Sequence, residues 1–265
     1  MAPLNANVTV IDSARGLMPR AFDRKDQHLI DPKARTRLAR LLALADGRDA
    51  EGILRLALKE EFAGRTAVVS SFGAESVVLL HLVARVNPAT PILFLNTGKL
   101  FGETLRYRDR LQDELGLGDI RSIAPDPSDR SQNDPDGILW SKDPDTCCNF
   151  RKVTPMHRAL SGFEAQITGR KRFQTRERSE MKKVEFFEGR FRFNPLADWT
   201  LADIEGYVQE NNLPRHPLVE DGYPSIGCMP CTRRVAAGEG YRDGRWAGLD
   251  KDECGIHVGI DGEGI

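Results

Sequence analysis

Between Thr66 and Pro125 the chain alternates short β-branched runs with stretches of helical length. "TAVVSSF" (Thr66 to Phe72), "TPILFLN" (Thr90 to Asn96) and "DIRSIAP" (Asp119 to Pro125) each read as a strand. "AESVVLLHLVARV" and "GETLRYRDRLQDEL" lie between them and read as helices. Such alternation predicts right-handed βαβ units, and so a mostly parallel, twisted sheet flanked by helices, an α/β fold.

The flanks extend that plan. "FEAQITG" (Phe163 to Gly169) adds a strand, and "VEFFEGRFRFNPL" (Val184 to Leu196) a hairpin turning at Glu188-Gly189. Thr200 and Asp203 form a capping signal that starts a helix in "DWTLADIEGYVQENN". Leu38, Leu41, Leu42 and Leu44, then Ile53, Leu54, Leu56 and Leu58, predict two N-terminal helices parted at Asp46 to Asp49. Residues 126–145 read as a loop. A helix is expected to start at about Cys147, perturbed by Pro155. From Arg215 onward the chain reads as mostly irregular. The expected organisation is an N-terminal helical segment over 1–62, an α/β domain over 63–246, and a tail over 247–265. Gly255, Gly259, Gly262 and Gly264 make that tail mobile.

The totals exclude some functions. A formal net charge of −1 over 265 residues gives no broad basic face for nucleic acid. No apolar run approaches the roughly 18 to 20 residues that a membrane span needs. The first residues lack the apolar stretch of a signal peptide, so the expected compartment is the cytoplasm, where disulfides are disfavoured.

Five cysteines then matter. Cys147 and Cys148 are adjacent, Cys228 and Cys231 form C-x-x-C, and Cys254 stands alone. An odd count argues against a complete disulfide framework. Four thiolates suit zinc or a [4Fe–4S] cluster. Adjacent cysteines cannot make the usual zinc knuckle, whereas a cluster offers each a different iron, so chemistry favours the cluster and leaves zinc open. Arg151 and Lys152 after one pair, and Arg233 and Arg234 after the other, offset negative charge there. Cys254 sits among small and polar residues, so it is either a reactive thiol or an incidental tail cysteine.

"SSFGAES" (Ser70 to Ser76) joins the first strand to its helix. It reads either as an anion cradle at a helix N-terminus or as a plain tight turn with incidental serines. It is not a Walker loop. Arg242 and Arg245, three residues apart, can point at one anion, and "TGRKRFQTRER" (Thr168 to Arg178) concentrates further cations directly after a strand end.

The loop resembles the S-x-G-x-[DE]-S loop of the adenine-nucleotide α-hydrolase (PP-loop) superfamily, with Ser71, Gly73, Glu75 and Ser76 in register and Phe72 where many members have Gly. In that superfamily "LNTG" (Leu95 to Gly98) is the neighbourhood that holds adenosine. "CCNFRKVTP", "SIGCMPCTR" and "ECGIH", in this order behind that loop, resemble the assimilatory sulfonucleotide reductases over about Ala63 to His257. The match is closest to those that carry an iron–sulfur cluster and reduce adenosine 5′-phosphosulfate (APS).

That resemblance implies roles. Cys147, Cys148, Cys228 and Cys231 would hold one [4Fe–4S] cluster per subunit, and Cys254 would be the nucleophile. Thioredoxin would supply electrons through a transient mixed disulfide at Cys254. Substrate contacts would come from Ser70, Ser71, Phe72, Gly73, Glu75 and Ser76, from Leu95, Thr97 and Gly98, and from Gly169, Arg172 and Gln174. Lys152, Arg242, Arg245 and His257 would contact the phosphosulfate. No nucleic-acid or membrane partner is implied, and a homo-oligomer stays open. Departures from the family pattern are Phe173 and Thr175 around Gln174, Lys171 where Arg is common, and His216 before Pro217 where Asn is frequent. The competing readings are a reductase for the 3′-phosphorylated nucleotide (PAPS) or for both, an ATP-using PP-loop ligase, and a zinc-organised binding module.

Overall fold

The structure, a computed structural model, describes residues 31–249, Lys251 and residues 253–256. Its centre is a six-stranded sheet: β1 (Thr66–Ser70), β2 (Ile92–Leu95), β3 (Ile120–Ile123), β4 (Ala165–Thr168), β5 (Val184–Phe187) and β6 (Arg190–Phe193). The order is β3-β2-β1-β4-β6-β5, parallel throughout except for the β5–β6 hairpin. That is the mostly parallel α/β sheet read from the alternation. Glu188 and Gly189 turn the hairpin with positive φ at both positions, 48° and 75°, the pairing a two-residue type I′ turn requires.

Central strands β1, β2 and β4 are buried at every position. Layers on both faces explain their unbroken apolar runs. Along β1, Val68 joins one core while Ala67 and Val69 join the other. Edge strand β3 instead exposes Arg121 and Ser122, polar positions of the kind that discourage pairing with a stray chain.

Among the helices, α1 (Pro32–Ala45) and α2 (Ala50–Arg55) are separated at the expected break and capped by Asp31 and Asp49. A π-helical turn, Leu56–Glu61, continues α2. Leu41, Ile53, Leu54 and Leu56 share one core with Val68, Phe72 and Phe94, so this segment packs directly on the sheet. Helices α3 (Ser76–Val86) and α4 (Gly102–Leu115) make the first two crossovers.

The expected loop over 126–145 is instead largely helical: α5 (Pro127–Asn133), α6 (Leu139–Lys142) and the start of α7 (Pro144–Cys148). Asp126 and Asp143 each cap the following turn, accepting hydrogen bonds from Ser128 N and Thr146 N at 2.8 and 2.9 Å. A proline at the first helical position costs nothing there, because that N–H has no intrahelical acceptor. Two of the three Asp-Pro pairs in this stretch, Asp126-Pro127 and Asp143-Pro144, are therefore helix starts.

The cysteine helix begins three residues before Cys147 and runs through a π-helical turn, Asn149–Val153, into α8 (Thr154–Leu160). Thr154 N–H reaches back to Asn149 O. Pro155 has no N–H to offer Arg151 O and its ring would crowd that carbonyl, which accounts for the widened turn. Helix α9 (Leu201–Glu210) starts at a reciprocal capping box between Thr200 and Asp203.

Candidate active site

Strands β1, β2 and β4 end at a cleft of about 210 Å³. Ligands favour this end of an open parallel sheet, because helix N-termini and loops converge there. Ser70, Ser71, Gly73, Glu75 and Ser76 form one border, and Leu95 and Thr97 a second. Gly169, Arg170, Lys171, Gln174 and Arg178 form a third. A Cβ at Gly73 would come within 3.3 Å of Ile226 O, so glycine lets the opposite wall approach. Ser70 Oγ accepts from Phe72 N at 3.2 Å and fixes the turn.

The opposite wall comes from the described residues between Ser225 and Ile256, which are mostly irregular. Met229 N donates to Lys99 O at 2.7 Å, and Cys228 bridges Leu100, which tie this wall to the exit of β2. Thr232 bridges Arg245, and Trp246 N donates to Cys231 O at 3.1 Å. The Arg245 guanidinium lies 4.4 Å from the Trp246 ring centroid. It also fills the space where a Cβ on Gly227 would stand.

Glu75 is an anchor within the cleft. Its carboxylate pairs with Lys171 and accepts from Gln174 Nε2 at 2.7 Å and from the Tyr241 hydroxyl at 2.5 Å. Burial, then the Glu75 charge, pushes the Tyr241 pKa up, so the phenol stays a proton donor. Arg170 is buried and held by Glu185 at 2.5 Å and Asn194 Oδ1 at 3.1 Å.

Cys147, Cys148, Cys228 and Cys231 line one small cavity with Trp140, Pro144 and Pro230. Lys152 and Cys228 border both this cavity and the cleft. Burial pushes the Cys148 thiol up to about 11, and raises Cys147 and Cys231 as well. Buried thiols of this kind ionise against a cation or a metal. Among the described residues no three His, Cys, Asp or Glu side chains close on a single metal-ion position. Two adjacent thiols and a C-x-x-C pair around one cavity suit a group that meets separate thiolates at separate points. Burial works against the Lys152 ammonium, but the sulfurs of Cys254, Cys228 and Cys148 more than offset it and leave its pKa raised.

Residues 65–234 match the phosphoadenosine phosphosulfate reductase domain. The chain belongs to that family. It is 50% identical over 210 residues to an adenosine 5′-phosphosulfate reductase of Chelativorans sp. (strain BNC1), covering 79% of this chain and 86% of that one. A Mesorhizobium japonicum protein of the same name is 47% identical over 206 residues, covering 78% and 81%. Membership makes the chain an oxidoreductase acting on sulfur. The solved phosphoadenylyl-sulfate (PAPS) reductase of Candida auris, a phosphate complex, superposes with a TM-score of 0.63 at 22% identity, covering 78% of this chain and 98% of that one. That likeness establishes the fold.

In this reductase the cleft gathers most of the residues singled out from sequence, from Ser70 to Cys254, with Lys152, Gln174, Arg242 and Arg245 among them. Three of the expected substrate contacts do not border it. Phe72 is fully buried at φ 50°, its ring 5.3 Å from Phe94 in the core. Relatives with Gly there have the residue that a left-handed conformation favours. Arg172 turns outward to Asp198 and Met181 O. Gly98 has φ 70° and shapes the loop after β2. His257 lies outside the described residues.

Arg151 proves different from its neighbour Lys152. Its guanidinium is buried, donating to Thr97 O at 2.8 Å and to Asp134 at 2.6 Å, so it braces the loop after β2. Arg233 and Arg234 are exposed surface cations paired with Glu239 and Asp221. His216 Nδ1 accepts from Leu218 N at 3.2 Å. That is the local capping bond an Asn side chain makes, which explains the exchange. Sequence reasoning missed Arg170, Arg178, Tyr241 and Glu253 in the cleft. The density of cations in "TGRKRFQTRER" was the available signal, but it does not tell which of them face inward.

Proposed function

We propose that the chain reduces APS to sulfite and AMP through an S-sulfocysteine on Cys254, with thioredoxin as reductant, in assimilatory sulfate reduction toward cysteine. The observation that carries the reading is Cys254 in the wall of the same cleft as the Ser70–Ser76 loop and Lys152, Arg242 and Arg245. Those cations face the charge of a phosphosulfate and let a thiolate approach its sulfur. The Cys254 thiolate attacks the sulfate sulfur, the bond from sulfur to the bridging oxygen breaks, and AMP leaves with that electron pair. A thioredoxin thiolate then attacks Cys254 Sγ, and sulfite departs with the sulfur–sulfur bonding pair. The second thioredoxin thiol resolves the mixed disulfide, so both electrons come from the dithiol and Cys254 returns as thiolate.

Cys147, Cys148, Cys228 and Cys231 are the residues that would hold a [4Fe–4S] cluster. Bound there, it supplies a fixed negative charge next to Lys152 and a tie between two distant segments. A reducing compartment, the cytoplasm, suits this thiol chemistry.

The second reading is use of PAPS, which the cations Arg170, Lys171 and Arg178 in the cleft wall support. Their pairing with Glu185, Glu75 and Glu253 supports APS, which lacks the extra phosphate. Comparing turnover of the two nucleotides separates them. The main reading is tested by anaerobic incubation with APS and no thioredoxin. The expected result is a sulfite-mass adduct on Cys254 that a dithiol removes. Sulfite release by Cys254→Ser at the wild-type rate would overturn it.

A further inference from the structure

Cys254 is held from both sides. On one side, the Glu253 carboxylate lies 2.5 Å from the Arg178 guanidinium and 3.9 Å from that of Arg242. The Glu253 and Arg178 side chains are only 12% and 6% exposed, so solvent screens this pair weakly. On the other side, Ile256 packs on the apolar cluster of Ala67, Val69, Leu93, Leu95, Met156 and Leu160. Gly255 between them has φ 86°, and a Cβ there would come within 3.0 Å of Val153. The polypeptide therefore enters the cleft on an ion pair and leaves it on an apolar contact, with the thiol in between.

Arg178 is not a loose partner. It donates to Gln174 Oε1, whose amide nitrogen donates to Glu75 in the loop at the end of β1. A continuous polar chain thus runs from Glu75 through Gln174 and Arg178 to Glu253, the residue preceding the nucleophile. Cys254 stands in the cleft wall and is only partly exposed, so attack on its sulfur by a partner protein is eased when this segment leaves the cleft.

We propose that Glu253 is a positioning residue: its ion pair with Arg178 docks the tail with Cys254 in the cleft for sulfur transfer, and opens for reduction. The inference rests on Cys254 as nucleophile, and it assigns Glu253 to one half-reaction only. A residue that merely supported the fold would affect both.

The test separates the half-reactions in anaerobic, cluster-loaded protein. Adduct formation is timed by rapid quench after mixing with APS alone, and sulfite release is timed after adding reduced thioredoxin to the isolated adduct. Glu253→Gln is expected to slow adduct formation by roughly 10- to 100-fold, the scale of a misplaced nucleophile. Sulfite release from the adduct is expected to be unchanged or faster. Glu253→Asp keeps the charge and is expected to recover part of the loss. In an Arg178→Gln background, Glu253→Gln is expected to cost less than about threefold more, because coupled partners are non-additive. Equal slowing of both half-reactions, full additivity with Arg178→Gln, or an unaffected adduct rate overturns the inference. Wild-type protein that forms no adduct sinks the functional reading itself. Wild-type protein that forms it while Glu253→Gln is indifferent sinks only this one.

Discussion

One wall of the cleft is made of the ends of β1, β2 and β4, every residue of which is buried. The other is the run from Ser225 to Ile256, whose described residues have one short 3₁₀ turn, Met229–Cys231, and two isolated bridges. The first wall is held by apolar burial and ladder hydrogen bonds. The second is held by single hydrogen bonds, cation–aromatic contacts and ion pairs, with four cysteines at its base. A frame of the first kind resists change and carries the Ser70–Ser76 loop. A wall of the second kind can move and carries the thiol. Substitutions in the two walls should therefore fail differently, the first in stability and the second in rate.

The largest effect is expected in the frame. Phe72 is fully buried and meets Phe94 edge-on at 5.3 Å. Phe72→Ala should cost about 3–5 kcal/mol of unfolding free energy, the usual loss for a large aromatic ring. Phe72→Gly should cost about 1 kcal/mol less than that, since glycine relieves the positive φ that alanine keeps. Urea unfolding of the three proteins measures both. A loss below about 1 kcal/mol for Phe72→Ala would mean that the ring does not hold the loop to the core.

In the second wall, Gly227→Ala drives a methyl group into the space of the Arg245 guanidinium. The guanidinium must move off Trp246, and with it a charge that faces the cleft. We expect kcat/KM for APS to fall about 10- to 100-fold with little change in unfolding, reflecting a displaced group at the reacting centre. A stability loss with normal kinetics would reverse the contrast between the walls.

The same contrast explains what could be read in advance. Frame elements announce themselves locally: "TAVVS" and "ILFL" are buried strands by composition, and Glu188-Gly189 is a hairpin turn by conformation. The helices over 127–148 were less visible, because Asp-Pro pairs serve turns and helix starts alike. The cysteines and Lys152 were legible as residue types with few structural alternatives. The division of the cations was not. Arg172 faces out while Arg170 and Arg178 face in, and their partners, Glu185 and Glu253, lie 15 and 75 positions along the chain. Local spacing holds no information on a pairing set by how distant segments pack.

His216 lies at the seam between frame and irregular wall, and gives the smallest and most specific effect. It is fully buried, with Nε2 3.0 Å from Thr104 Oγ1 on α4 and Nδ1 accepting from Leu218 N. With Nδ1 an acceptor, Nε2 carries the proton, so the ring is neutral and holds both sides of the seam. Burial lowers its pKa from the ordinary 6.5 to about 4, with Glu103 opposing only in part. Below pH 6.5 the unfolded chain takes up a proton that the folded one refuses, down to about pH 4. The contribution is therefore complete above pH 6.5 and is lost as pH falls toward 4, at no more than about 1.4 kcal/mol per pH unit. His216→Asn keeps the bond to Leu218 N and removes the titration. Between pH 7 and pH 5 the wild type should lose roughly 1–2 kcal/mol more than this variant in anaerobic urea unfolding. The carboxylates common to both proteins cancel in that difference. Identical pH dependence in the two would mean that His216 is solvated enough to protonate in place, and that the seam opens more readily than its burial implies.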